Sequence, residues 1–439
     1  MDTSTLVRGG WVLTMDERGT ELPAGDLLVT DGVITAVGVG LAAPPGAEVL
    51  DAAGLLVLPG LVDTHRHTWQ TPLRHLGGQW SMDDYRERIL GDVGAGYRPE
   101  DVYAGTLLGA LAALDAGITT LVDWAHIQNS PAHSDASVAA LRDSGIRAVF
   151  AHGWPIRAAG PAIPEPHPAD IRRVRTELLA DDSALVTCAM GARGPDYAGL
   201  EVTAVDFALA RELGMPITAH VASGVFGASR RGIAELAAAG LLGPDLTIVH
   251  ANGATDEDLR LLAEHGCTVS ISPQIELTMP GLGGRVAVRR LLDAGIRPGL
   301  SVDSETVASA DLFTQMRFAL AAHRACATEP SEVPLAAAEV LRMATADGAN
   351  TAGLGDRVGA LTPGRAADLV LLRTDAVGLA PVRAAAEAVV LAAHPGMVDT
   401  VLVAGRVVKR AGRLLADVDR ARELAAATAD RLSRELVGA

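Results

Sequence analysis

Pro59-Gly60-Leu61-Val62-Asp63-Thr64-His65-Arg66-His67 follows directly on the apolar run Leu55-Leu56-Val57-Leu58. A short apolar run punctuated by proline and glycine reads as a buried strand. Residues two apart on a strand face the same side, so His65 and His67 can present two imidazoles to one metal ion. An H-x-H pair alone is weak evidence. Three further polar residues stand at the ends of comparable runs: His220 after Pro216-Ile217-Thr218-Ala219, His250 after Leu246-Thr247-Ile248-Val249, and Asp303 after Leu300-Ser301-Val302.

Working outward, the segment from Pro59 to about Leu354 alternates apolar runs with Ala/Leu-rich amphipathic stretches such as Asp256 to His265 and Arg285 to Ala294. Gly117, Gly145, Gly214, Gly266 and Gly295 stand where helices stop before the next strand. The runs Thr119-Val122, Arg147-Phe150, Ala184-Thr187, Pro216-Ala219, Leu246-Val249, Thr268-Ile271 and Pro298-Val302, with the opening one, make eight β/α units. That is the pattern of an α/β protein with a (β/α)8 TIM barrel. A doubly wound open sheet is the alternative, disfavoured because no G-x-G-x-x-G follows the first strand. In a barrel the strands are parallel, so all these polar ends converge on one rim, where barrel enzymes keep their active sites. Four histidines and an aspartate gathered there without a cation would be an unpaired buried polar cluster.

Short strands with turn pairs fill both ends of the chain, among them Asp31-Gly32 near the start and Ala404-Gly405 near the end. They predict a small β-sandwich domain built discontinuously from residues 1–58 and 356–415, around a barrel of 59–355, with an amphipathic C-terminal helix over 416–439.

The chain has 439 residues, with 37 basic and 53 acidic side chains and a net charge of -16. That balance argues against a nucleic-acid groove or an anionic membrane surface, and no apolar stretch is long enough for a transmembrane helix. Its one lysine is Lys409, so any Schiff-base, phosphate-loop or carbamylated lysine would have to be that residue. Cys188, Cys267 and Cys326 are widely spaced and read as small core residues in a reducing, cytoplasmic setting. A small-molecule substrate and a homo-oligomer are expected.

The Pro59–His67 stretch, together with Gly359-Ala360-Leu361-Thr362-Pro363-Gly364-Arg365-Ala366-Ala367-Asp368-Leu369-Val370, resembles the amidohydrolase superfamily. The likeness lies in its branch of cytosine, guanine and S-adenosylhomocysteine deaminases and triazine hydrolases (chlorohydrolases), and covers nearly the whole chain. It implies one divalent metal ion, Zn2+ first with Fe2+ and Mn2+ as alternatives, held by His65, His67, His220 and Asp303. Cys188-Ala189-Met190-Gly191 stands where a bridging lysine would follow the fourth strand, which agrees with a one-metal site. Such a metal acidifies water from a pKa of ~16 towards ~7. Asp303 would take and return the proton, and His250 would donate to the atom that gains negative charge.

The implied activity is hydrolysis at an sp2 carbon of a small cyclic or heteroaromatic nitrogen compound, a deaminase-like attack on a C–N bond other than a peptide. One departure stands out. Deaminases of this branch carry a glutamate proton shuttle three residues after the strand-five histidine, and here that position is Ser223. Glu276, in the segment after strand seven, is the candidate substitute; its plainer reading is a solvated loop carboxylate. Trp69, Gln70, Asp123, His126 and Arg193 join Ser223 as candidate substrate-binding residues, with metal-ligand orientation as the other role for Asp123 and His126. Ser223 keeps a second activity open, a non-deaminating cleavage of a cyclic amide, a halide or a specialised metabolite. A catalytically silent scaffold is the remaining alternative, disfavoured by the retained ligand set.

Overall fold

The computed structural model describes residues 4–156, 167–283, 286–325 and 335–437. Cys326 and Arg285 lie outside them. Eight parallel strands form the expected barrel: β1 Leu61–Arg66, β2 Ile118–Ala125, β3 Arg147–His152, β4 Val186–Ala192, β5 Ile217–Val221, β6 Leu246–His250, β7 Thr268–Ile271 and β8 Gly299–Leu300. Residues of β1 to β4 are buried on both faces, as parallel strands sheathed by helices must be. The two-residue β8 is too short to close the ring itself. Closure comes from a bridge between Arg66 and Asp303, in which the Asp303 N–H donates to the His65 carbonyl (2.9 Å) and the His67 N–H to the Asp303 carbonyl (3.1 Å). Three of the expected site residues, His65, His67 and Asp303, thus also carry the seam of the barrel.

The chain ends form a separate mixed sheet of nine strands. Its central pairing is antiparallel, Leu55–Pro59 against Leu369–Arg373, and it fuses the N-terminal strands to the C-terminal ones. At the exit from this sheet into β1, Gly60 is required by space: a Cβ there would fall 2.0 Å from Thr119 Oγ1. Asp368 holds the same junction, with both carboxylate oxygens on the Arg147 guanidinium at 2.8 and 3.0 Å. Lys409 serves here too. Its ammonium is buried against Asp115, 2.6 Å from the carbonyl and 2.8 Å from the carboxylate, tying the terminal sheet to the barrel helix Pro99–Asp115.

The helix Val418–Val437 is covered on its inner face. Ala421, Ala425 and Leu432 are buried, and Thr428 donates to Asp101 on the Pro99–Asp115 helix at 3.0 Å. None of the described helices is long and apolar enough to cross a membrane.

Burial pushes the Cys188 thiol up to about 12 and the Cys267 thiol up to about 11, so almost no thiolate exists near neutrality. In a Cys326→Ser background we expect neither to react with Ellman's reagent at pH 8 until guanidinium unfolds the chain. Rapid labelling of the native protein would contradict the burial.

Candidate metal centre

The rim of the barrel brings the predicted residues together. The ring nitrogens of His65, His67 and His220 that could each offer a lone pair lie within 4.8 Å of one another. One oxygen of Asp303 stands 3.5 Å from His65 Nε2 and 3.2 Å from His67 Nε2, and the other stands 3.6 Å from His250 Nε2. His250 and Asp303 hold left-handed backbone conformations, φ 73° and 68°, unusual for residues with a Cβ and concentrated at functional sites. They turn the chain at the strand ends so that both side chains face inward.

Neighbours fix which ring atoms are available. His67 donates from Nδ1 to the Trp124 carbonyl (2.8 Å), and His250 Nδ1 faces Glu276 Oε1 at 3.0 Å. Each arrangement leaves Nε2 turned toward Asp303. His65 is fully buried, and neither of its nitrogens has a hydrogen-bond partner, a costly state unless a cation fills it. Burial holds the His65 pKa down at about 4 and keeps His220 well below its ordinary value, so both are neutral imidazoles near neutrality, the form that binds metals. For Asp303 burial works the other way. The close approach of the His65 and His67 ring nitrogens outweighs it, and the carboxyl sits well below its usual range. Imidazole nitrogens with one carboxylate are the donor set of a catalytic zinc site.

A cleft opens above this cluster. His67, His220, His250 and Asp303 contribute to its floor beside Trp124 and His126, and its walls are largely apolar and aromatic. The walls come from the helical residues 82–93 (Met82, Tyr85, Arg86, Leu90), from Trp154 and Ile156 after β3, from Tyr197 after β4, and from Ile275, Met279 and Leu282 after β7. Trp154 packs edge-on against Trp124 with ring centroids 5.1 Å apart.

Of the residues expected to touch substrate, Ser223 and His126 line the cleft. The other four stand behind its wall, which corrects their expected placement. Trp69 is buried against Tyr97 (4.9 Å) and His126 (5.5 Å). Asp123 points into the seam between β1 and β2, where it accepts from Thr68 Oγ1 at 2.6 Å and the Thr68 N–H at 3.3 Å. Arg193 lies over the Trp154 ring at 5.6 Å. Gln70 is held between Tyr85 and Ser304.

Glu276 needs a second correction. It is neither a solvated loop residue nor a cleft residue. It is fully buried in the short helix Pro273–Thr278, accepting the Ser272 N–H at 2.8 Å and contacting His250. Burial disfavours charge on His250, but the Glu276 hydrogen bond and the Asp303 charge overcome it and raise the imidazole's pKa. Carboxylates behind such a histidine set its orientation and tautomer. Glu276→Gln should therefore cut turnover about 10- to 100-fold without loss of bound metal; undiminished turnover with metal intact would remove Glu276 from the mechanism.

Tyr85, Trp154 and Tyr197 went unrecognised in the sequence. Each is one aromatic among others, with no ligand-like spacing. The usable signal was position, since Trp154 and Tyr197 follow closely on the ends of β3 and β4.

Comparison with known proteins agrees with this architecture. Residues 56–408 match the amidohydrolase family. The chain is 31% identical over 426 residues to a 5-methylthioadenosine/S-adenosylhomocysteine deaminase of Syntrophobacter fumaroxidans, covering 93% of this chain and 94% of the relative. It is 28% identical to a 5'-deoxyadenosine deaminase of Methanosarcina mazei, over 93% and 94% of the two chains. Among solved structures it superposes on an adenosine deaminase from Xanthomonas campestris with bound zinc, with TM-score 0.87, 24% identity, and 98% and 99% of the chains covered. A variant of atrazine chlorohydrolase from Arthrobacter aurescens, complexed with zinc and atraton, matches with TM-score 0.87 and 24% identity over 97% and 100% of the chains. At that identity the two structures speak for the shared fold.

Proposed function

Because this chain belongs to the amidohydrolase family, we propose that it is a metal-dependent hydrolase acting on a C–N bond, other than a peptide bond, of a small heteroaromatic or cyclic nitrogen compound. The observation that carries the reading is the buried, partnerless His65 within reach of His67, His220 and Asp303. His65, His67, His220 and Asp303 would hold one divalent cation, Zn2+ before Fe2+ or Mn2+. Such an ion supplies Lewis acidity and a water-derived nucleophile at neutral pH.

The chain's own residues do the rest. Asp303 accepts the proton lost by the attacking water and returns it to the departing nitrogen. His250, held by Glu276, donates to the substrate atom on which negative charge develops. The aromatic and aliphatic cleft walls take up a flat ring and exclude water from it. The relatives named as deaminases of adenine nucleosides support an amine as leaving group.

A second reading has its own support. Ser223 lines the cleft, and its hydroxyl is turned 3.5 Å from the Val249 carbonyl, so no carboxylate stands there to shuttle a proton to a ring nitrogen. That favours a substrate whose leaving group departs without such help.

Metal analysis of purified protein, with a screen of aminopurines, pterins, pyrimidines and triazines for ammonia release, tests both. Stoichiometric metal with ammonia from one class supports the first reading. Metal without ammonia from any class transfers support to the second, and a chain with no metal and no turnover refutes both.

The same proposal divides the chain at 1–58 with 356–415, 59–355 and 416–439, supported by the pairing of Leu55–Pro59 with Leu369–Arg373. It includes a homo-oligomer in the cytoplasm, which light scattering and cell fractionation check.

A further inference from the structure

We propose that the Tyr85 hydroxyl donates a hydrogen bond to the ligand bound in the cleft, and that Gln70 is the positioning residue that aims it. This inference rests on the metal-hydrolase reading of the site.

The relay begins beside Asp303. The Thr306 N–H donates to Ser304 Oγ at 3.3 Å, and Thr306 Oγ1 lies 2.7 Å from the same atom. Ser304 directs its own proton to Gln70 Oε1 at 2.6 Å, so Thr306 is the donor in the hydroxyl pair. That contact orients the amide. The carbonyl end is taken, so Gln70 presents its NH2 to Tyr85, and Nε2 donates to the phenol oxygen at 2.6 Å. A phenol oxygen that accepts in this direction must send its own O–H elsewhere. Among the described residues the Tyr85 hydroxyl has no other hydrogen-bond partner, and the residue lines the cleft together with Asp303 and Ser304. Gln70 and Ser304 are fully or almost fully buried, so water does not compete for the relay.

Burial drives the Tyr85 pKa above its ordinary value. The group is therefore a protonated donor near neutrality and does not act as a base. Its placement suits a ring nitrogen or exocyclic oxygen of a ligand held next to Asp303, and it adds a neutral donor to a wall that is otherwise mostly apolar.

The test uses full-length, zinc-loaded protein in four forms: wild type, Tyr85→Phe, Gln70→Leu and the double variant. Zinc content is measured first. Acetohydroxamate, a small metal-seeking probe with an acceptor oxygen, is then titrated by calorimetry. Tyr85→Phe should weaken the probe about tenfold, the worth of one hydrogen bond to a charged or strongly polarised acceptor. Gln70→Leu should weaken it in the Tyr85 background and cause no further loss in the Tyr85→Phe background, a coupling that a merely structural glutamine would not show. The double variant removes both partners of the buried pair and so guards against a folding defect in either single one. Equal affinity across all four zinc-loaded forms overturns the inference alone. A wild-type chain that takes up no zinc overturns the metal-hydrolase reading and this inference with it, and is recognised before any probe is added.

Discussion

Asp303→Asn should lower turnover by 10²- to 10⁴-fold, the range for a general acid–base group, and should weaken metal retention at the same time. The carboxylate stands within 3.2 to 3.6 Å of three imidazoles, so its charge is the counterweight to whatever cation they bind. An amide of the same shape keeps the packing and the backbone bridge to Arg66 but can neither carry that charge nor accept a proton. Turnover of the best substrate from the screen, with zinc measured by mass spectrometry on the same sample, separates the two losses. Dialysis against a chelator should abolish turnover in the wild type, and Zn2+ should restore it there but not in the variant. A variant that keeps both zinc and full turnover would remove Asp303 from the chemistry.

Glu305→Gln is the substitution expected to cost most in stability. Arg66 separates the two histidines of β1 and is fully buried. Its guanidinium is held by Glu305 (3.0 Å from Nε), by Asp63 at 3.2 Å and by the Ala310 carbonyl at 3.4 Å, while Arg74 also pairs with Glu305. Taking the charge from Glu305 leaves a buried guanidinium with half its counter-charge. Breaking such a pair costs about 3–5 kcal/mol, to be read as a fall in the urea midpoint. The paired replacement Arg66→Met with Glu305→Leu should not recover that loss, because it strands the buried Asp63 without its guanidinium and Arg74 without its carboxylate. A urea midpoint of Glu305→Gln equal to that of the wild type would show that the network is not what holds this seam.

How much of this was legible in the sequence follows from where each residue stands. His65, His67, His220, His250 and Asp303 all end apolar runs, and parallel strands carry such residues to one rim whatever the loops do. The loss of the usual glutamate at Ser223 was readable for the same reason. Glu276 was not. Its environment is set by Ser272 on the chain behind it and by His250 on the neighbouring strand, and only the closed barrel brings these together. Trp69 and Gln70 lie close to His67 in sequence, and Asp123 and Arg193 stand near the ends of β2 and β4, yet a side chain near a rim can turn into the wall as easily as into the cleft. Tyr85 was hidden by distance along the chain, since the helical residues 82–93 fold back over the rim from well beyond β1. At the chain ends the shared β domain was visible from its turn pairs. The strand order was not, because the decisive pairing joins residues about 310 positions apart.

That pairing has a consequence for biosynthesis. Leu58 finds its antiparallel partner only in Val370, and a ribosome adding ~5–20 residues per second needs about 15–60 s to cover the interval. Throughout that time the strand Leu55–Pro59 offers an unpaired edge of the kind that recruits other chains. The whole barrel is translated in that interval, between the two halves of the sheet. Slower, cooler expression or a chaperone that shields nascent strand edges should therefore raise the yield of folded enzyme more than any change at its surface.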